Sequence, residues 1–163
     1  MKRKAIASVL FIGFVFNLLY VVLMAFKIMG QYDNKVAAGA SPEVAAVFSI
    51  PTLYIIFAVI TFFMQIVLML SFGNSMRFEK PTVWIEWTSV VLYGGVFRVM
   101  YHYIPQLEGK FSTIRGLAAI ASRDMLNAEI QSLDWVFALA SSFFLVGAGM
   151  TICFKKFVRY FLK

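Results

Sequence analysis

Four stretches of the chain are apolar on every side rather than along one stripe. They cover about residues 5–28, 51–72, 82–104 and 135–154. A helix rises 1.5 Å per residue, so ~20 residues cross the ~30 Å hydrocarbon layer of a bilayer. The pattern predicts an all-α integral membrane protein: one membrane domain over 1–163, built as a four-transmembrane-helix bundle.

MKRK precedes the first run, which extends from Ala5 to Ile28. A signal peptide carries only ~7–15 apolar residues. The small-residue stretch at 37–41 lies too far beyond the run to cut it, so an uncleaved first helix is expected.

The connecting segments divide into three kinds. Residues 30–48 read as a loop, with Ser41-Pro42-Glu43 starting a short surface helix: Ser caps, Pro fits the first turn, and Glu suits the positive end. Pro51 marks a kink or a fresh start. Gly73 and Asn74 cap the second span, and a linker this short makes spans two and three antiparallel neighbours.

The segment at about 108–131 has a different pattern. Phe111, Ile114, Leu117, Ala118, Ala121, Met125 and Ala128 recur at helical spacing, with Ser112, Arg115, Arg123 and Asn127 opposite. It reads as an amphipathic outer segment that shields the mouth of the bundle, or binds a partner.

Composition agrees with a lipid solvent. The chain is 61% hydrophobic and 14% charged, where a soluble domain is about a quarter charged. The net charge of +7 would suggest nucleic acid in a soluble protein. Here the cations sit at the ends of apolar runs and form no stripe with stacking aromatics, so nucleic-acid binding is excluded.

The cations also predict orientation. Lys2, Arg3, Lys4, Arg77, Lys80, Lys155, Lys156, Arg159 and Lys163 fall on one side with one acid, Glu79. Lys35, Lys110, Arg115 and Arg123 fall on the other with Asp33, Glu43, Glu108, Asp124, Glu129 and Asp134. The cation-rich side is cytoplasmic by the positive-inside rule, which puts both termini there. Compact loops and the lack of disulfides suggest a bacterial inner membrane. Lys155, Lys156, Arg159 and Lys163 read as a lipid-surface anchor in the tail KKFVRYFLK.

Polar residues within the apolar runs are the candidate site. Arg98 and His102 are four apart and share a helix face near the outer end of span three. Arg98 reads as snorkelling to the interface, and His102 as part of a belt with Tyr101 and Tyr103, the two marking the outer edge of the span and touching a neighbouring helix or partner. Glu86 lies near the inner end of that span between Trp84 and Trp87. It reads as an interfacial carboxylate that meets Arg77, Lys80 or a C-terminal lysine. Asn17 and Gln65 lie mid-span, where an amide facing lipid would lose its hydrogen bonds. Both should face protein and bond each other, another helix or a second subunit.

Small residues predict close helix approach. Gly94 and Gly95 in span three, and Ala138, Ser142, Gly147 and Gly149 in span four, are the candidates. One face of span four should pack against span three or a partner helix.

The residues for most chemistries are missing. One histidine and one cysteine (Cys153) exclude a disulfide within the chain, a thiolate zinc site and a dithiol centre. No phosphate-cradling glycine loop or nucleophile elbow occurs. No metal, no cofactor and no enzymatic activity are expected.

The function expected is protein–protein contact with another membrane protein, as an accessory subunit of a membrane complex or as an exclusion or immunity factor. One alternative is a homo-oligomeric channel or transporter with Arg98 and His102 at its outer mouth. Another is a lipid-modifying enzyme using His102 with Glu108 or Asp124.

Overall fold

The computed structural model describes residues 3–39, 41–42, 52–75, 82–99 and 132–161. They form four helices: α1 (Arg3–Ala37), α2 (Thr52–Asn74), α3 (Trp84–Arg98) and α4 (Asp134–Phe161). The fold is all-helical, and α1, α2 and α4 are each long and apolar enough to cross a membrane. The 15 residues of α3 span about 22 Å at 1.5 Å per residue. The rest of the expected third span, to residue 104, lies outside the described residues, as does the amphipathic segment at 108–131.

Two helices outrun their expected limits. α1 continues about two turns beyond Ile28, through residues expected to form a loop. Gly30 is its lone glycine in that stretch, and one glycine costs only about 1 kcal/mol in a helix. The stop comes at Gly39, whose φ of 85° takes the chain into the left-handed region. Ala38 N–H donates to Asn34 O and Gly39 N–H to Val36 O, closing the last turn. α4 likewise carries the basic tail on as helix to Phe161. Ser41 and Pro42 are exposed, and the surface helix expected after them lies outside the described residues.

The bundle is antiparallel throughout, and side-chain pairs fix its register. Arg3 lies over Phe154, Leu10 meets Gly147, Phe16 stacks on Phe143, and Tyr20 lies tilted against Phe137. Advancing along α1 means retreating by the same count along α4. The same holds between α1 and α2, where Leu10 meets Gln65 and Phe14 meets Phe62. α1 packs most extensively on α4 and α2, and α3 closes the ring against α2 and α4.

The interior positions explain this geometry. On α1 they are Ile6, Leu10, Gly13, Asn17, Tyr20 and Met24; on α2, Tyr54, Ala58, Thr61, Gln65 and Leu68. Steps of four and three alternate, the seven-residue period of knobs-into-holes packing. The centre is filled by rings: Tyr93 stacks on Phe144 at 4.3 Å between centroids, and Phe137 lies between Tyr20 and Tyr93. Outside, Phe11, Phe26, Phe63, Leu70 and Val91 are exposed. An apolar exterior of this extent suits lipid, since soluble monomers seldom expose large contiguous apolar patches.

Candidate functional site

The most concentrated chemistry lies where α1 begins and α4 ends. α2 brings Ser71 there on its last turns, α3 brings Glu86 on its first turn, and α4 brings Lys155. Lys155 Nζ is 2.6 Å from Glu86 Oε1. It also donates to Ser71 Oγ at 2.7 Å and to the Thr82 carbonyl at 2.9 Å. Ser71 Oγ in turn donates to Glu86 Oε1 at 2.7 Å. Glu86 is fully buried, and Ser71 and Lys155 nearly so.

This geometry decides what the cluster can do. An ammonium has three protons, and Lys155 places all three, on Glu86, Ser71 and Thr82. Ser71 therefore has an amine beside it, which the sequence did not reveal. These contacts tie α2, α3 and α4 together as a three-helix clasp. Glu86 gains further from its place at the positive end of α3. Glu86 Oε2 accepts no hydrogen bond from the described residues.

Two expectations change here. Lys155 is not a lipid-surface anchor: a buried carboxylate, a hydroxyl and a carbonyl draw its head inside the bundle. Glu86 is not an interfacial carboxylate: it faces inward, while Trp84 and Trp87 on either side are exposed. Its partner is one of the C-terminal lysines. Lys156 and Arg159 are exposed on α4, and Lys163, Arg77 and Lys80 lie outside the described residues.

The mid-span amides lie between α1 and α2, fully buried. They do not bond each other. Gln65 Nε2 donates to the Leu10 carbonyl across the helix interface at 2.9 Å. Asn17 Nδ2 donates to the Gly13 carbonyl of its own helix at 2.9 Å. A main-chain carbonyl only accepts, so the nitrogen of each amide must face it. Asn17 Oδ1 and Gln65 Oε1 are then left without donors among the described residues.

The small residues are arranged differently from expectation. Gly147 packs against α1, not α3: a Cβ there would stand 2.7 Å from Leu10 Cδ2. Gly13, which the sequence did not single out, holds the Gln65 amide, with a Cβ falling 3.1 Å from Oε1. Gly94, Gly95 and Gly149 have open space where a side chain would stand. Ala138 and Ser142 are exposed, and the Ser142 hydroxyl donates to Ala138 O one turn back. Away from the clasp, contact between α3 and α4 is made by rings and by Tyr93 Oη with Ser141 Oγ at 3.2 Å.

Arg98 is exposed at the end of α3. At 1.5 Å per residue it is about 18 Å along the axis from Glu86, so the clasp and Arg98 occupy opposite ends. His102 lies outside the described residues. Among the described residues no three His, Cys, Asp or Glu side chains converge as metal ligands. Compared with protein-family models, curated proteins and solved structures, the chain matches none.

Proposed function

We propose that this chain is a four-span protein of a bacterial inner membrane, with both termini cytoplasmic, that works by contact with another membrane protein. Its role in that reading is an accessory subunit or an exclusion factor, not a catalyst or a pathway of its own.

One observation carries the reading: among the described residues, the interior is packed with rings while the outer face of α3 has no neighbour. Among the described residues, rings from α1, α3 and α4 pack the centre, and Lys155 pairs with Glu86 at one end of it. By contrast, Val91, Leu92, Gly94 and Gly95 face outward. Each glycine in a helix costs about 1 kcal/mol against alanine. Nothing among the described residues uses the space that Gly94 and Gly95 leave. In lipid, small residues let a second helix backbone come close, and packing there drives association.

A photo-crosslinking residue in place of Val91 tests this in native membranes. The expected product is a covalent adduct with a second protein. Adducts with lipid alone would remove the α3 face from the account.

A further inference from the structure

The end of the bundle that carries the clasp also carries a cleft. It lies between the first turn of α1 and the last turns of α4, with a volume of about 350 Å³, and is lined by Arg3, Cys153, Phe154, Phe157 and Val158. We propose that this cleft is a binding site for one anionic phospholipid, its phosphate on Arg3 beside Phe157 and Val158 and its acyl chains descending past Cys153 toward the hydrocarbon layer. The inference rests on the membrane reading above but not on the partner-contact reading.

Charge selects the headgroup. Arg3, Lys4, Lys156 and Arg159 stand exposed at this end. The one acid there among the described residues, Glu86, is already taken by Lys155 in the interior. The net field at the cleft is therefore positive, and a zwitterionic headgroup offers it less than an anionic one.

Arg3 is also held in position. Its guanidinium carbon lies 6.0 Å from the centre of the Phe154 ring, within cation–π range. Phe154 is itself buried and braced by Phe72 at 5.5 Å between centroids. The ring fixes the cation at the cleft wall, and its N–H groups remain able to donate to phosphate oxygens.

Apolar lining selects an amphiphile over a free anion. Phe157 is exposed and Val158 half-buried, and together they extend the cleft as an apolar wall. A free phosphate would leave that wall unused. A lipid places its charge at Arg3, its glycerol and first acyl carbons against the wall, and its chains past Cys153 toward the bilayer.

Native mass spectrometry of the full chain, titrated with phosphatidylglycerol or phosphatidylcholine, tests the site. The expected result is one phosphatidylglycerol retained in preference to phosphatidylcholine. Arg3→Gln should lower that retention about fivefold, as expected for one cation near an anionic headgroup. Inorganic phosphate should not displace the lipid.

Equal retention of the two lipids, unchanged retention in Arg3→Gln, or displacement by phosphate would overturn the assignment. A second readout uses the unaltered chain. Cys153 is exposed and lines the cleft, so a thiol reagent should label it more slowly in phosphatidylglycerol bilayers than in phosphatidylcholine bilayers. Equal labelling rates would count against the site. A chain found in the membrane fraction but showing no lipid preference would fail this inference alone. A chain absent from that fraction would fail the membrane reading itself.

Discussion

Lys155 Nζ and Glu86 Oε1 stand 2.6 Å apart inside the bundle, joining the last helix to the first turn of the third. With Ser71 the pair ties α2, α3 and α4 at one end. Removing one partner strands a buried charge, at a cost of about 3–5 kcal/mol. Glu86→Gln and Lys155→Met should each lose about that much in detergent unfolding. Replacing both by Met should recover most of it, because a paired apolar substitution leaves no charge behind. Single losses below about 1 kcal/mol would show that the clasp is not formed.

The two buried amides should differ in weight. Gln65 reaches across to the Leu10 carbonyl, whereas Asn17 bonds within its own helix. Gln65→Met should cost about 0.6–2 kcal/mol, the range of interhelical bonds in membrane bundles. Asn17→Leu should cost less, provided the larger apolar group fits. Equal losses in unfolding titrations would contradict the assignment of Gln65 as the interhelical bond.

Glycines separate into two classes by the same test. Alanine at Gly147 puts a Cβ 2.7 Å from Leu10 Cδ2, so the buried Leu10 must shift and about 1–2 kcal/mol is lost. Leu10→Ala beside it should relieve the clash. Alanine at Gly94 or Gly95 meets open space and should be neutral or stabilising by up to about 1 kcal/mol. Thermal unfolding of the purified variants reads both effects.

Tyr93 joins α3 to α4 by its ring more than by its hydroxyl. Its ring stacks on Phe144 at 4.3 Å, and its oxygen lies 3.2 Å from Ser141 Oγ. Tyr93→Phe should cost about 0.5–1.5 kcal/mol and Tyr93→Ala about 3–5 kcal/mol. Similar losses from the two would mean that the hydroxyl, not the ring, joins the helices.

The helices were legible from the sequence because apolar runs of this length have few other uses. Their ends were less so. Residues 29–37 look like a loop because they are polar, yet nothing in them breaks a helix before Gly39. The inward direction of Asn17 and Gln65 followed from the cost of an amide in lipid. Their partners did not, because a main-chain carbonyl has no signature in sequence. A pairing of Glu86 with a C-terminal lysine was legible, but which lysine was not, because Lys155 sits in a cluster of terminal cations that read alike as meeting lipid headgroups. What drew it inward was Glu86, far away in the chain. Of the small residues expected at a close approach, Gly147 makes one, against α1, while Ala138 and Ser142 are exposed; Gly13 has no such signal because it lies in a run of large apolar residues. The seven-residue seam was hidden because outward positions of a lipid-facing helix are as apolar as inward ones.

The central claim is that this protein works by holding another membrane protein through the outer face of α3. Native mass spectrometry of the chain extracted gently from its own membrane tests it most directly, run beside Gly94→Leu and Gly95→Leu. The account predicts a stoichiometric complex with a different protein, lost in the leucine variants while their unfolding midpoints stay at or above that of the parent chain. A homo-oligomer of fixed number, or a partner still bound in both variants, would contradict it.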